Sequence, residues 1–442
     1  MKLRLPEVKI DIGKDGFDKH CQLGRKETGK KLSKLLDAVD DPLVVAVDGL
    51  WGSGKSHFLK CWVGAHKKEF GYDAKIIYFD AFQHDYLDDP LIALTLALEK
   101  ELGLEPGNQY LKKLKKAAIA GSKIGTRMAL VAATTGLSEI TGAVWDAVIF
   151  SARKEGEKLV EKLWEKEKGR ISAMSDFGEA LKSLTNTGEK NETKLIIVID
   201  ELDRCRPDYA LLLLEIIKHF FAIENIKFVL GVNLQELANS VEARYGKNVD
   251  ANSYLQKFID IRLKLGTSLH LNNKESVSRK YFQEVAKKQE LNSDKYKNSI
   301  DGYLENWGND CPLTLREIER LVTAAVLTPS SPHRGQLGKW ILIGGLLIIK
   351  IQNPELFQKI RIGTASFEEI CEYFNLPMKI DENTPRYKKE LASHWYYLIN
   401  NELLEPAENN LFADYGFLSE EDTLHSSIFK HYLDVFESEA LV

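Results

Sequence analysis

At 442 residues the chain is longer than one compact core usually needs, so two domains, or one domain carrying a large insertion, are expected. With 44% apolar and 28% charged residues the composition is that of a soluble globular protein, and the net charge of −5 argues against bulk non-specific nucleic-acid binding while leaving room for a local basic groove. The five cysteines (Cys21, Cys61, Cys205, Cys311, Cys371) are scattered without a C-x-x-C and the ten histidines form no H-E-x-x-H, which argues against a disulfide framework or a zinc site and leaves Mg²⁺ as the one metal expected. The opening residues lack the apolar core of a signal peptide, so a cytoplasmic protein is expected.

The first strong element is the apolar, β-branched run over 43–48, suited to a strand buried on both faces. Gly49, Leu50, Trp51, Gly52, Ser53, Gly54, Lys55 and Ser56 follow it and match G-x-x-x-x-G-K-[ST] at every fixed position; a helix-compatible pattern starts at His57. Strand, glycine loop and helix thus occur in the order that phosphate binding requires. Glycines let the backbone turn its N–H groups and the helix N-terminus toward negative charge. The set from Gly49 to His57 is therefore the expected nucleotide-binding segment, with Lys55 bridging the β- and γ-phosphates and Ser56 on Mg²⁺.

A second strand is predicted over 75–79. Some 140 residues then separate Ser56 from the next strong motif, more than one crossover needs. The excess lies in 111–168: a basic segment over 111–116, a stretch over 117–150 rich in small residues, and a strongly charged helix through Trp164. A membrane span needs about 20 apolar residues. Here Lys123, Arg127, Glu139 and Asp146 interrupt the stretch, and its longest uncharged run is 11 residues. A soluble helical hairpin is the favoured reading, reversible membrane-surface contact through the basic segment the alternative, and a transmembrane hairpin the last.

The apolar run over 195–199 ends on Asp200 and Glu201. Asp200 is placed to hold Mg²⁺, and Glu201 to orient or deprotonate the attacking water, unless it merely caps the next helix. Asp203 is a competing base, and the choice between the two stays open. Residues 227–232 form a further strand. Asn233 at its end either touches the γ-phosphate or the water, or is a turn residue opening the helix near Leu234. Residues 259–265 alternate as an edge strand does. From about 269 onward helical patterns dominate. The apolar segment 340–349 is too short for a span and fits a buried helix. Trp395, Tyr396 and Tyr397 are expected in a core, and the segment between His425 and His431 is expected to be solvated.

These residues resemble the KAP family of P-loop NTPases. The resemblance is carried by Leu23 to Arg25 with the helix over 31–36, by the tryptophan-bearing loop 51–56, by Asp200 to Pro207 as a variant of Asp-Asp-Leu-Asp-Arg-Cys-x-Pro, and by Thr314 to Arg320 as the paired arginines of a helical lid. It departs at 79–82 (Phe-Asp-Ala-Phe for Phe-Asn-Ala-Trp), at Glu201 and at Asn233. It implies ATP and Mg²⁺ as ligands, and a nucleotide-driven switch or assembly ATPase, with a role in phage exclusion or anti-phage defence alongside partner proteins. Arg204 or Arg206 would reach a neighbouring subunit as an arginine finger, and Arg316, one turn from Arg320, would close over the phosphates. Ordinary surface ion pairing is the competing reading for all four.

The expected architecture is α/β: a P-loop NTPase core with a parallel sheet of the additional-strand, catalytic-glutamate type over 1–110 and 186–268, a helical insertion over 111–185, and a helical lid and C-terminal helical domain over 269–442. A homo-oligomer or a partner protein is expected, nucleic acid is not indicated, and the lack of an N-K-x-D motif favours ATP over GTP. Competing functions are a nucleic-acid-dependent ATPase, an ATP-binding scaffold with little turnover and a small-molecule kinase.

Overall fold

The computed structural model describes residues 9–20, 23–87, 89–105, 108–121, 172–185, 193–220, 223–265, 276–291, 293–329, 337–402 and 424–433. Five strands form one parallel sheet: β1 (Leu43–Asp48), β2 (Ala74–Asp80), β3 (Lys194–Asp200), β4 (Ile226–Val232) and β5 (Ile261–Lys264). Their spatial order is β2-β3-β4-β1-β5, so β4 lies between the strand that feeds the glycine loop and the strand that ends on Asp200. β1 and β4 are buried at every residue, Asp48 and Lys227 included, as strands of a sheet covered on both faces are. β5 pairs only with β1 among these strands and alternates between half-buried and exposed, as an edge does.

Alternate residues of the strands serve two cores. Val44, Ala46, Ile197, Ile199, Phe228 and Leu230 face one side, against the helices Pro90–Glu101, Pro207–Lys218 and Leu234–Tyr245. The helix Gln109–Gly121 and the helix over 172–185 join this core through Leu114, Ala118, Phe177 and Leu181, and Phe177 stacks on Phe220 with centroids 5.1 Å apart. Val45, Val47, Ile196 and Val198 face the other side, against Lys26–Ala38 and Lys55–Lys68. There Trp62 donates to Ser33 Oγ (2.9 Å), and Ser33 also meets His66 Nδ1 (2.9 Å), locking the two helices together. Burial holds the His66 pKa down at about 4, so its ring is neutral and compatible with that packing.

A separate core gathers the helices from Val277–Lys288 onward. Leu337–Gln352 runs through its centre, and Gly344 and Gly345 let it approach the neighbouring helix. A Cβ at Gly345 would lie 2.5 Å from Tyr303 Oη and 2.6 Å from Trp395. Trp395 is fully buried and donates to Tyr303 Oη (2.9 Å), while Tyr396 and Tyr397 pack at the core's edge. His425 differs from expectation: it is half-buried, its Nε2 lies 2.8 Å from the Ile360 carbonyl, and its ring packs at a tilt against Phe429, with centroids 4.6 Å apart. The apolar face of its helix seats it in the core. The hairpin expected within 117–150 and the charged helix through Trp164 lie, beyond residue 121, outside the described residues. Among those described, no helix is long and apolar enough to cross a membrane.

Candidate functional site

β1 delivers the chain to the glycine loop at the C-terminal edge of the sheet, where open α/β sheets bind their ligands. Gly52 and Gly54 have φ of +79° and +82°, a region that costs any residue with a Cβ about 1 kcal/mol or more. Gly54 directly precedes the helix Lys55–Lys68, whose first N–H groups have no intrahelical partner and face the loop. Lys55 Nζ donates to the carbonyls of Gly49 (2.5 Å) and Leu50 (3.2 Å). Burial lowers the Lys55 pKa, opposed first by the charge of Asp203 and then by that of Asp200. Ser53 Oγ is buried and finds no hydrogen-bond partner among the described residues, so the loop holds a donor that suits a ligand oxygen.

Across from the loop, β3 ends on Asp200, which is fully buried. Its carboxylate accepts from Tyr78 Oη (2.6 Å) and the Glu201 N–H (2.9 Å), yet burial dominates and lifts its pKa to about 6. Gly231 makes room: a Cβ there would lie 2.3 Å from Asp200 Oδ1. Glu201 follows in a left-handed conformation (φ 59°), rare for a residue with a side chain and a mark of functional turns. That turn brings its Oε1 to 3.2 Å from Ser56 Oγ and 2.9 Å from the Arg204 guanidinium. Asp203, in the turn Leu202–Arg204, accepts instead from the Trp51 indole at 2.5 Å. Arg206 donates to the Asp85 carbonyl and does not line the cavity beside the phosphate loop.

Asn233 is 6% exposed and its side chain accepts from Gln235 N (3.2 Å), capping the helix Leu234–Tyr245. It stands at the end of the strand between β1 and β3, where the helix begins. Asp48, at the end of β1, ties the neighbourhood together: it accepts from Leu234 N (2.9 Å) and from Arg262 Nε (2.9 Å) and Nη2 (2.5 Å).

The lid helix Leu315–Leu327 begins on top of the loop. Thr314 caps it in a reciprocal box with Glu317, and Arg316 Cβ would lie 2.9 Å from a Cβ on Gly52. One cavity of about 580 Å³ opens between loop, acidic turn, lid and the side chains of Ile10, Phe17, His20, Leu23 and Arg25. Lys55, Ser56, Asp200, Glu201, Asp203 and Arg204 line it, with Arg316 and the exposed His57. Arg320, one turn further along the lid, does not.

Residues 25–330 match the KAP family P-loop domain, more than two thirds of the chain. The chain belongs to the KAP family of P-loop NTPases. No curated protein matches it. Among solved structures it is similar to the Aeropyrum pernix ORC2 protein in its ADPNP–ADP complexes, at 12% identity over 88% of this chain and 83% of that one, but the TM-score of 0.32 is too low to carry an argument.

The matched KAP region starts at Arg25, whose guanidinium reaches the Gly54 carbonyl (3.4 Å), and it contains loop, acidic strand and lid. Nucleotide binding at the glycine loop follows from the family and the fold. The parts of this KAP site that motif reading missed are Tyr78, Gly231, Asp48 and Arg262. Of these only Gly231 had a local signal, a lone glycine inside an apolar strand, which marks close approach of another group.

Proposed function

We propose that the chain is a Mg²⁺-dependent ATPase that works as a nucleotide-driven switch. The observation that carries this is the convergence of Lys55, Ser56, Asp200, Glu201 and the lid's Arg316 on one cavity. The triphosphate lies along the glycine loop, with its charge met by backbone N–H groups and Lys55. The oxygen-only donors of Ser56 and Asp200 suit Mg²⁺, which takes few protein ligands beside phosphate and water. Among the described residues no cluster of three or more His, Cys, Asp or Glu offers a rival metal site. Mg²⁺ held there neutralises charge on the phosphate oxygens.

Glu201 orients and deprotonates the attacking water, and its pairing with Arg204 favours an action of that arginine in cis, restraining the carboxylate. Asn233 does not line that cavity, and its side chain is engaged as the cap of the helix Leu234–Tyr245, so no contact with the γ-phosphate is assigned to it. Arg316 draws the lid onto the phosphates, and hydrolysis releases it. The switch acts on a partner, either another copy or a different protein. From the family resemblance alone, the process served is exclusion of phage, which phage challenge of cells carrying wild type or Lys55→Ala tests.

Hydrogen exchange over 315–327 tests the switch. A non-hydrolysable ATP analogue with Mg²⁺ should protect the lid more than ADP does, and Arg316→Ala should abolish the difference. Equal protection by both nucleotides in wild type refutes the switch. Stimulation of turnover by added DNA would replace it with a nucleic-acid-dependent ATPase.

A further inference from the structure

Trp51 projects from the tip of the phosphate loop and remains 44% exposed, while its indole nitrogen donates to Asp203, which is 6% exposed. An indole N–H only donates and a carboxylate only accepts, so this bond has one sense and is assisted by charge. It joins two segments more than 150 residues apart in sequence, separated by 152 positions. At one end stands the turn that begins with Glu201, held in its left-handed conformation and paired to Arg204. At the other end, the residue after Trp51 is Gly52, whose absent Cβ leaves space for Thr314 and Arg316 at the start of the lid helix. Acidic turn, indole, loop tip and lid therefore touch in sequence.

We infer that Trp51 and Asp203 are a positioning pair that fixes the loop tip against the acidic turn and passes a change at Glu201 to the lid. This rests on the reading of the cavity as an ATP site. Asp203 is on this account not the base: its carboxylate is committed to the indole, whereas Glu201 lies beside Ser56. Neither residue touches the reacting atoms, and the pair acts through the geometry of loop and lid.

The test is a double-mutant cycle on binding of a non-hydrolysable ATP analogue with Mg²⁺, by calorimetry, with turnover measured in parallel. Trp51→Phe keeps the ring and loses the donor, Asp203→Ala loses the acceptor, and Asp203→Asn keeps an oxygen that can accept. Each of the first two should weaken binding about fivefold to tenfold, as loss of a charge-assisted bond implies. The double variant should bind no worse than either single one, because both remove the same interaction. Asp203→Asn should restore most of the affinity and keep far more turnover at saturating ATP than Glu201→Gln does. Melting temperatures of the full chain identify any variant that fails to fold.

The inference is overturned if the two single losses multiply in the double variant, or if Asp203→Asn loses turnover as completely as Glu201→Gln. Failure of the underlying site reading looks different: Lys55→Ala would bind the analogue as wild type does, whatever the cycle shows.

Discussion

Asp200→Asn should make the nucleotide-free protein more stable while removing its Mg²⁺-dependent activity. The wild-type carboxyl is fully buried, and burial raises its pKa from 3.8 to about 6 despite bonds from Tyr78 Oη and the Glu201 N–H. Holding that group ionised in the fold at neutral pH costs about 3 kcal/mol, at about 1.4 kcal/mol per pKa unit. Asparagine keeps the shape, its carbonyl accepts from Glu201 N, and the Tyr78 hydroxyl turns to accept from the amide. Because folding raises this pKa, the stability associated with the neutral carboxyl is fully present below pH 3.8 and is lost as pH rises through about 6. The variant, which does not titrate there, should therefore melt roughly 5 °C higher at pH 7.5 in EDTA. The free-energy gap should shrink to about half by pH 5, where the wild-type group is mostly protonated in the fold. Thermal melts of both proteins at the two pH values decide the matter. A variant that melts lower at pH 7.5, or a gap that ignores pH, would refute the argument that a buried charge is stored at this site for function.

Three further outcomes follow from specific contacts. Asn233→Ala removes the cap on Gln235 N and should cost about 1 kcal/mol of stability in denaturant titrations, with ATP affinity nearly unchanged. Gly52→Ala places a Cβ 2.9 Å from Arg316 Cβ at a φ of +79°, so ATP affinity should fall at least about tenfold while the melting temperature moves little; unchanged affinity would mean that the lid does not rest on the loop. Gly345→Ala drives a methyl to 2.5 Å from Tyr303 Oη and should destabilise the C-terminal helices by about 3 kcal/mol, read by denaturant unfolding, without changing the nucleotide affinity of the molecules that remain folded.

Much of this architecture was legible because it is written in local patterns. β1 and β3 carry unbroken apolar runs over 43–47 and 195–199, β4 carries one that begins only after the buried Lys227, the glycine loop must be glycine where φ is positive, and Asp200 and Glu201 end a buried strand. Leu337–Gln352 is a helix because its apolar run is long enough for a core and too short for a bilayer. What could not be read is what depends on non-local pairing. Nothing near Tyr78 announces that its hydroxyl serves Asp200, 122 positions later, and nothing near Asp48 announces Arg262. The competition between Glu201 and Asp203 for the role of base had no sequence answer either, since two carboxylates in one turn differ only in what the rest of the fold presents to them: Ser56 and Arg204 to one, the Trp51 indole to the other. His425 was misread for the same reason, because a polar ring on a short helix finds its partner in the Ile360 carbonyl, far along the chain.

The most direct test of the central claim is release of phosphate from ATP by the purified full chain with Mg²⁺, against Lys55→Ala and Glu201→Gln. The account predicts steady turnover by wild type, loss of nucleotide binding in Lys55→Ala, and in Glu201→Gln retained binding with turnover reduced at least about 100-fold. Turnover by Glu201→Gln equal to wild type, or tight binding without turnover by wild type, would contradict it.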